Sequence, residues 1–216
     1  MNKSAANKHN ALGSKSILLL TALLTYPAAI HLAVISGRPS TALLILLSPY
    51  IVLMSKRPVI RAGLALAALS GLFLLQHLPG NTTQLLLFVP PIAINAALAT
   101  LFGLSLRAGE TPLITRYARL LGDSLEPAVI DYTRRVTWLW ALLFTAMALE
   151  SLLFALFAPI EVWSLFANIL NYVFVVFMFV GEYLFRRFRL AGVDHPSLPN
   201  FVGTIARVRI SDIRKQ

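Results

Sequence analysis

Glu150 is the side chain whose position most directly implies chemistry, because it stands inside an apolar run from Val136 to Ala158, eight residues before its end. At a helical rise of 1.5 Å per residue it lies about 12 Å deep. A carboxylate anion is costly at such a depth and needs a reason to be there, as proton carrier, base or substrate-orienting charge. Asn168 and Asn171 stand seven and ten residues into the next run, roughly 10 to 15 Å from the same membrane face. Only Pro159 and Ile160 separate the two runs, so the glutamate and both asparagines are expected neighbours. Asn95, His31 and the steps Tyr26-Pro27, Ser48-Pro49 and Pro90-Pro91 map to the same outer half. Proline frees backbone carbonyls, and converging helices at this level would enclose a polar pocket. The plainer alternative is that the asparagines and His31 tie helices together and the prolines only kink them.

A second group lies at the opposite face. Glu182 returns to the helical face of Asn171 eleven residues later, and Arg186, one turn on, is its natural ion-pair partner. Alternatively, Glu182, Tyr183, Arg186 and Arg187 join Arg116 and Arg119 in an anion site. The turn-rich His195-Pro196 and Leu198-Pro199-Asn200-Phe201 read as a loop.

Several kinds of chemistry are excluded. The chain has no cysteine, hence no disulfide, thiolate ligand or thiol nucleophile. It carries no G-x-x-x-x-G-K-[ST], G-x-S-x-G or H-E-x-x-H. Histidines at 9, 31, 77 and 195 offer no metal-ligand spacing, and no H-x-x-x-x-D acyltransferase pair exists. No catalytic residue, metal or cofactor is assigned, and an ATP-driven pump or hydrolase is not expected.

The elements that must position these residues are helices. Six apolar runs, near 16–36, 40–55, 58–78, 84–106, 136–158 and 161–185, approach the roughly 20 residues a hydrocarbon core requires. None alternates as a barrel strand would. The expectation is an all-α polytopic transmembrane helical bundle of about six membrane helices plus one interfacial amphipathic helix. That helix starts at Thr111-Pro112, a capping hydroxyl followed by proline. It places Leu113, Ile114, Tyr117, Leu120 and Leu121 on one face and stops at Gly122. A second start at Glu126-Pro127 leads into the fifth span. Trp138, Trp140 and Trp163 read as interfacial anchors. Gly63, Ala67 and Gly71, and Ala99 with Gly103, read as small residues permitting close helix packing.

All but Arg38 of the 19 Lys and Arg residues fall in alternate connections. The positive-inside rule therefore places both termini in the cytoplasm, and the first run, lacking a cleavage site, reads as a retained anchor. Residues 1–15 read as a disordered tail, 16–185 as the membrane domain with a cytosolic connection over 107–135, and 186–216 as a basic tail. Much of the +10 net charge suits anionic lipid headgroups. No nucleic-acid partner is expected.

The stretch Ser105-Leu106-Arg107-Ala108-Gly109-Glu110-Thr111-Pro112-Leu113-Ile114-Thr115-Arg116-Tyr117-Ala118, then Tyr132-Thr133-Arg134-Arg135-Val136-Thr137-Trp138, and Glu182-Tyr183 with Arg186, resembles a family of small, uncharacterised bacterial inner-membrane proteins. That family accompanies aryl-polyene and related type II fatty-acid-like pigment clusters. The likeness covers the C-terminal half, and it brings no catalytic roles to transfer. Its members sometimes bear the label ketosynthase, a chemistry this cysteine-free chain lacks the nucleophile for. The resemblance implies an acidic acyl carrier protein or synthase as partner, met by Arg116, Arg119, Arg134, Arg135 and Arg186. An inner-membrane accessory role follows from it. A small transporter, flippase or intramembrane transferase using the polar site around Glu150 is the alternative.

Overall fold

The computed structural model describes residues 25–54, 57–75, 82–120 and 126–189. The lysines of the N-tail, Lys56, Gly122 and the tail after Arg189 lie outside the described residues. Those residues form helices and turns with no strand among them. In chain order they are α1 (Thr25–Ile35), α2 (Pro39–Met54), α3 (Pro58–Leu75), α4 (Thr82–Leu104), α5 (Leu113–Leu120), α6 (Pro127–Phe157), α7 (Ile160–Leu165), a π-helical turn (Phe166–Leu170) and α8 (Asn171–Arg189).

Local chemistry sets the boundaries. Proline opens α2, α3 and α6, at the one helical position where its missing N–H costs nothing. Gly37, at φ +68°, ends α1. Its N–H bonds the Val34 carbonyl and that of Arg38 bonds the Ala33 carbonyl, the paired bonds of a left-handed glycine cap. The expected second start is real, since Val129 and Ile130 both donate to the Glu126 carbonyl.

Three helical segments, Thr82–Leu104, Pro127–Phe157 and Ile160–Arg186, are long and apolar enough to cross a membrane; α1, α2 and α3 give shorter apolar helices. The anticipated six spans are thus matched at full length only by the last three, from Thr82 onward. Outward apolar faces agree with a hydrocarbon surround: Phe157 is 81% exposed and Phe177 73%, a surface that water would not tolerate over so wide an area.

Two compact units emerge. One takes residues up to Pro90 and Leu153–Asn171; the other takes Pro91–Leu152 and the chain from Tyr172. The first is centred on Ile30, Val34, Ala42, Leu43, Leu72, Leu87, Trp163 and Ala167. The second is centred on Tyr132, Val136, Trp140, Phe144 and Met147, a stripe at steps of four and three along α6 that turns one face inward.

Those cores correct two expectations. Trp140 and Trp163 are not interfacial anchors, being 4% and 1% exposed. Trp140 occupies the inward stripe of α6, and Trp163 meets Phe88 edge-on at 4.6 Å. Trp138, two residues from Trp140, faces out at 52% exposed. The small-residue expectation fails at its glycines: a Cβ added at Gly63, Gly71 or Gly103 would meet nothing within 4 Å, so among the described residues no neighbouring helix presses on them.

Candidate functional site

Hydroxyl groups hold the connection between α4 and α6 in place. The first N–H groups of a helix have no partner within it, and in α5 they are turned toward protein. Ser105 Oγ accepts the Leu113 N–H at 3.0 Å, and Thr137 Oγ1 accepts that of Ile114 at 3.3 Å. The cap expected from Thr111 is therefore supplied by Ser105, while the Thr111 carbonyl accepts from Arg116 Nε at 2.9 Å. Deeper, the Thr115 and Thr133 hydroxyls share a 2.7 Å bond, with both residues at most 1% exposed. Thr133 Oγ1 donates onward to the Val129 carbonyl, and Thr137 Oγ1 to that of Thr133. The amphipathic α5 is thereby fixed to the start of α6.

Thr133→Val keeps the shape and strands the Thr115 hydroxyl in a buried place. A loss of about 1–3 kcal/mol is expected, read as a lower unfolding temperature of the full chain in detergent. An unchanged temperature would mean that the hydroxyl ladder is dispensable.

The platform sorts the expected arginines. Arg116 is consumed internally, its Nη2 2.8 Å from Glu110 Oε2 with the side chain 19% exposed. Arg186 is buried and cannot belong to a docking face, and Arg119 is half-buried. Arg134 is exposed while one amino group donates to the Leu106 carbonyl at 3.2 Å. Arg135 pairs with Asp131 at 2.8 Å, both well exposed, a surface pair that holds little and leaves the arginine available. Arg107 is exposed too. The reachable basic group is thus Arg107, Arg134 and Arg135. Burial pushes the Tyr117 phenol above its ordinary pKa, so it remains a neutral member of the platform.

Glu182 has a structural partner in α6. It accepts from the Tyr132 hydroxyl at 3.3 Å, and Tyr132 stacks on Phe185 with ring centroids 6.1 Å apart. With Arg116 committed and Arg186 buried, the six-residue anion site anticipated around them is not assembled as expected. The Arg187 side chain lies outside the described residues.

The intramembrane candidates divide between the two units. His31, Asn168 and Asn171 belong to the first; Glu150, half-buried, and Asn95, buried, belong to the second. Within the first, His31 Nδ1 lies 3.1 Å from Ser164 Oγ, and Asn168 Nδ2 donates to both Ser164 oxygens at 3.1 Å. Asn171 is 3% exposed, and neither amide atom has a hydrogen-bond partner among the described residues. The π-helical turn Phe166–Leu170 immediately precedes it. Such turns insert a residue, shift the helical face and recur at functional sites. Ser164, Asn168 and Asn171 all end on the buried face.

A cavity of about 350 Å³ also lies in the first unit, lined by Leu43, Leu47, Ala68, Gly71, Leu72, Leu86, Val89 and Pro90. Its lining is apolar and includes none of the polar candidates. Sequence reasoning passed over Ser164 and the Thr115, Thr133, Thr137 ladder, since Ser and Thr in apolar surroundings read merely as small. The four-residue step from Thr133 to Thr137 was the available signal.

Asn171→Leu separates structure from function. An amide buried without partners gains little from its polarity, so an apolar side chain of similar size leaves stability unchanged or raises it. Thermal unfolding of the variant checks this, and a clear drop would show that Asn171 is bonded in the working protein.

No protein-family model matches the chain, and neither a curated protein nor a solved structure matches it.

Proposed function

We propose that the chain is a non-catalytic accessory protein of the bacterial inner membrane, with both termini cytoplasmic. It couples a carrier-protein-dependent polyene or lipid pathway to the bilayer, where anionic headgroups attract its basic regions. Its cytosolic face docks an acidic acyl carrier protein or synthase. The observation that carries this reading is the hydroxyl-fixed α5 platform, which leaves Arg107, Arg134 and Arg135 exposed, with Arg134 bonded to the carbonyl of Leu106 next to Arg107 and adjacent in sequence to Arg135. A rigid set of positive charges steers an acidic partner and sets its register.

The test is binding of acidic acyl carrier proteins to the full-length protein in nanodiscs, followed across ionic strength. Attraction between exposed charges weakens as the Debye length shrinks from about 10 Å at 0.1 M salt to about 3 Å at 1 M. Binding that fades with salt supports docking; absence of binding at low salt, or binding indifferent to salt, removes it.

Asn171 favours one second reading, a small transporter, flippase or intramembrane transferase. Its buried amide, without a hydrogen-bond partner among the described residues, stands beside the π-helical turn and is the costly polar feature that a site within a membrane helix would require. Loss of activity in Asn171→Leu with stability intact supports this alternative.

A further inference from the structure

The apolar cavity of the first unit has a chemical context that identifies an occupant. Leu43 stands near the start of α2, Leu72 near the end of α3 and Leu86 near the start of α4, and all three line it. The α2 and α4 starts and the α3 end therefore share one membrane face. Arg38, immediately before α2, is exposed at that face, and it is the lone basic residue separated from the cytosolic clusters. It precedes Leu43 by five residues, and helical rise puts the near end of the cavity about 8 Å below it.

A third feature lies on α4. Pro90 has no N–H, so the Leu86 carbonyl loses its i+4 donor, and Pro91, next in line, offers none either. Carbonyls at membrane depth require donors from elsewhere. A cation at the headgroup level thus stands above an apolar hollow, and one of the helices that line the hollow carries a freed carbonyl.

We propose that this cleft binds one phospholipid bearing an anionic, hydroxylated headgroup, of the phosphatidylglycerol type. Its phosphate meets Arg38, a headgroup hydroxyl donates to the Leu86 carbonyl, and one acyl chain fills the space among Leu43, Leu47, Gly71 and Leu72. Attraction between phosphate and guanidinium selects this headgroup over zwitterionic ones. The inference needs only the membrane setting and stands apart from the docking role.

Two measurements test it. Full-length protein purified in detergent is titrated with phosphatidylglycerol or phosphatidylethanolamine and weighed intact by mass spectrometry. One retained phosphatidylglycerol is expected, with Arg38→Gln weakening it about 10-fold, or about 1.4 kcal/mol, and leaving phosphatidylethanolamine unchanged. Gly71→Phe is expected to weaken both lipids, because a side chain there enters open space and occupies the hollow. Equal affinity of all three proteins for phosphatidylglycerol overturns the proposal.

The second measurement requires no variant. Phosphatidylglycerol carrying a diazirine in its acyl chain is photolysed on the unaltered protein, and the modified peptides are mapped. Adducts concentrated at Leu47, Leu72 and Val89 are expected. Adducts spread evenly over outward residues such as Phe157 and Phe177 would show surrounding lipid only and sink the site.

Discussion

Trp163→Ala is expected to destabilise the protein by about 3 kcal/mol, the low end of the range for emptying a large aromatic site. The low end applies because lipid is as apolar as the core, so little is gained by removing Trp163 from its surroundings; what disappears is packing. That packing is dense: the ring is 1% exposed, meets Phe88 at 4.6 Å and sits among Ile30, Val34 and Leu87. Trp138→Ala, at a half-exposed ring, is the matched control and should cost under about 1 kcal/mol, as outward substitutions usually do. Reversible unfolding in detergent with increasing denaturant measures both. Equal losses would contradict the assignment of Trp163 to the core and restore the anchor expected from its sequence position.

Charge reversal on the platform should have the larger functional effect. The combined variant Arg107→Glu, Arg134→Glu, Arg135→Glu replaces three exposed positive charges with negative ones while leaving Ser105, Thr115, Thr133 and Thr137 untouched. Electrostatic steering accelerates association by about 10- to 1000-fold, and like charges across an interface add a penalty of their own. Binding of an acidic carrier protein should therefore fall at least about 100-fold at low salt. Two of these arginines hold minor structural bonds, Arg134 to the Leu106 carbonyl and Arg135 to Asp131, so unfolding of the variant is measured alongside. Arg116→Gln is the contrast, since that guanidinium is already occupied by Glu110 and the Thr111 carbonyl. It should disturb the platform locally and change binding far less. A triple variant that binds as well as the unaltered protein would take docking off this face.

The fold was legible where composition decides it. The Glu126-Pro127 step marked the start of α6, and apolar length marked α4, α6 and the final helix. The amphipathic α5 appeared where its Leu, Ile and Tyr spacing placed it. What the sequence withheld depends on which way a helix face turns. Trp138 and Trp140 are alike in type and setting, yet the stripe that includes Tyr132, Val136 and Phe144 carries only Trp140 inward. The arginines could be counted but not sorted, because only the fold shows that Arg116 closes on Glu110 and that Arg186 is buried. The π-helical turn left no signal in the residue types of Phe166–Leu170. The polar candidates were visible as residue types at a depth. That Ser164 joins His31 to Asn168 follows from tertiary approach, which depth along one helix does not supply.

The most direct test of the docking account is a lipid and pigment profile by mass spectrometry, taken from cells with the intact protein, with none, with the triple arginine reversal, and with Glu150→Ala or Asn171→Leu. Each variant must accumulate in the membrane at the normal level. The account predicts that deletion changes the profile, that the arginine reversal reproduces that change, and that Glu150→Ala and Asn171→Leu leave the profile as in the intact strain. The reverse, with the arginine variant behaving normally and either intramembrane variant mimicking deletion, would contradict docking and place the activity within the membrane helices.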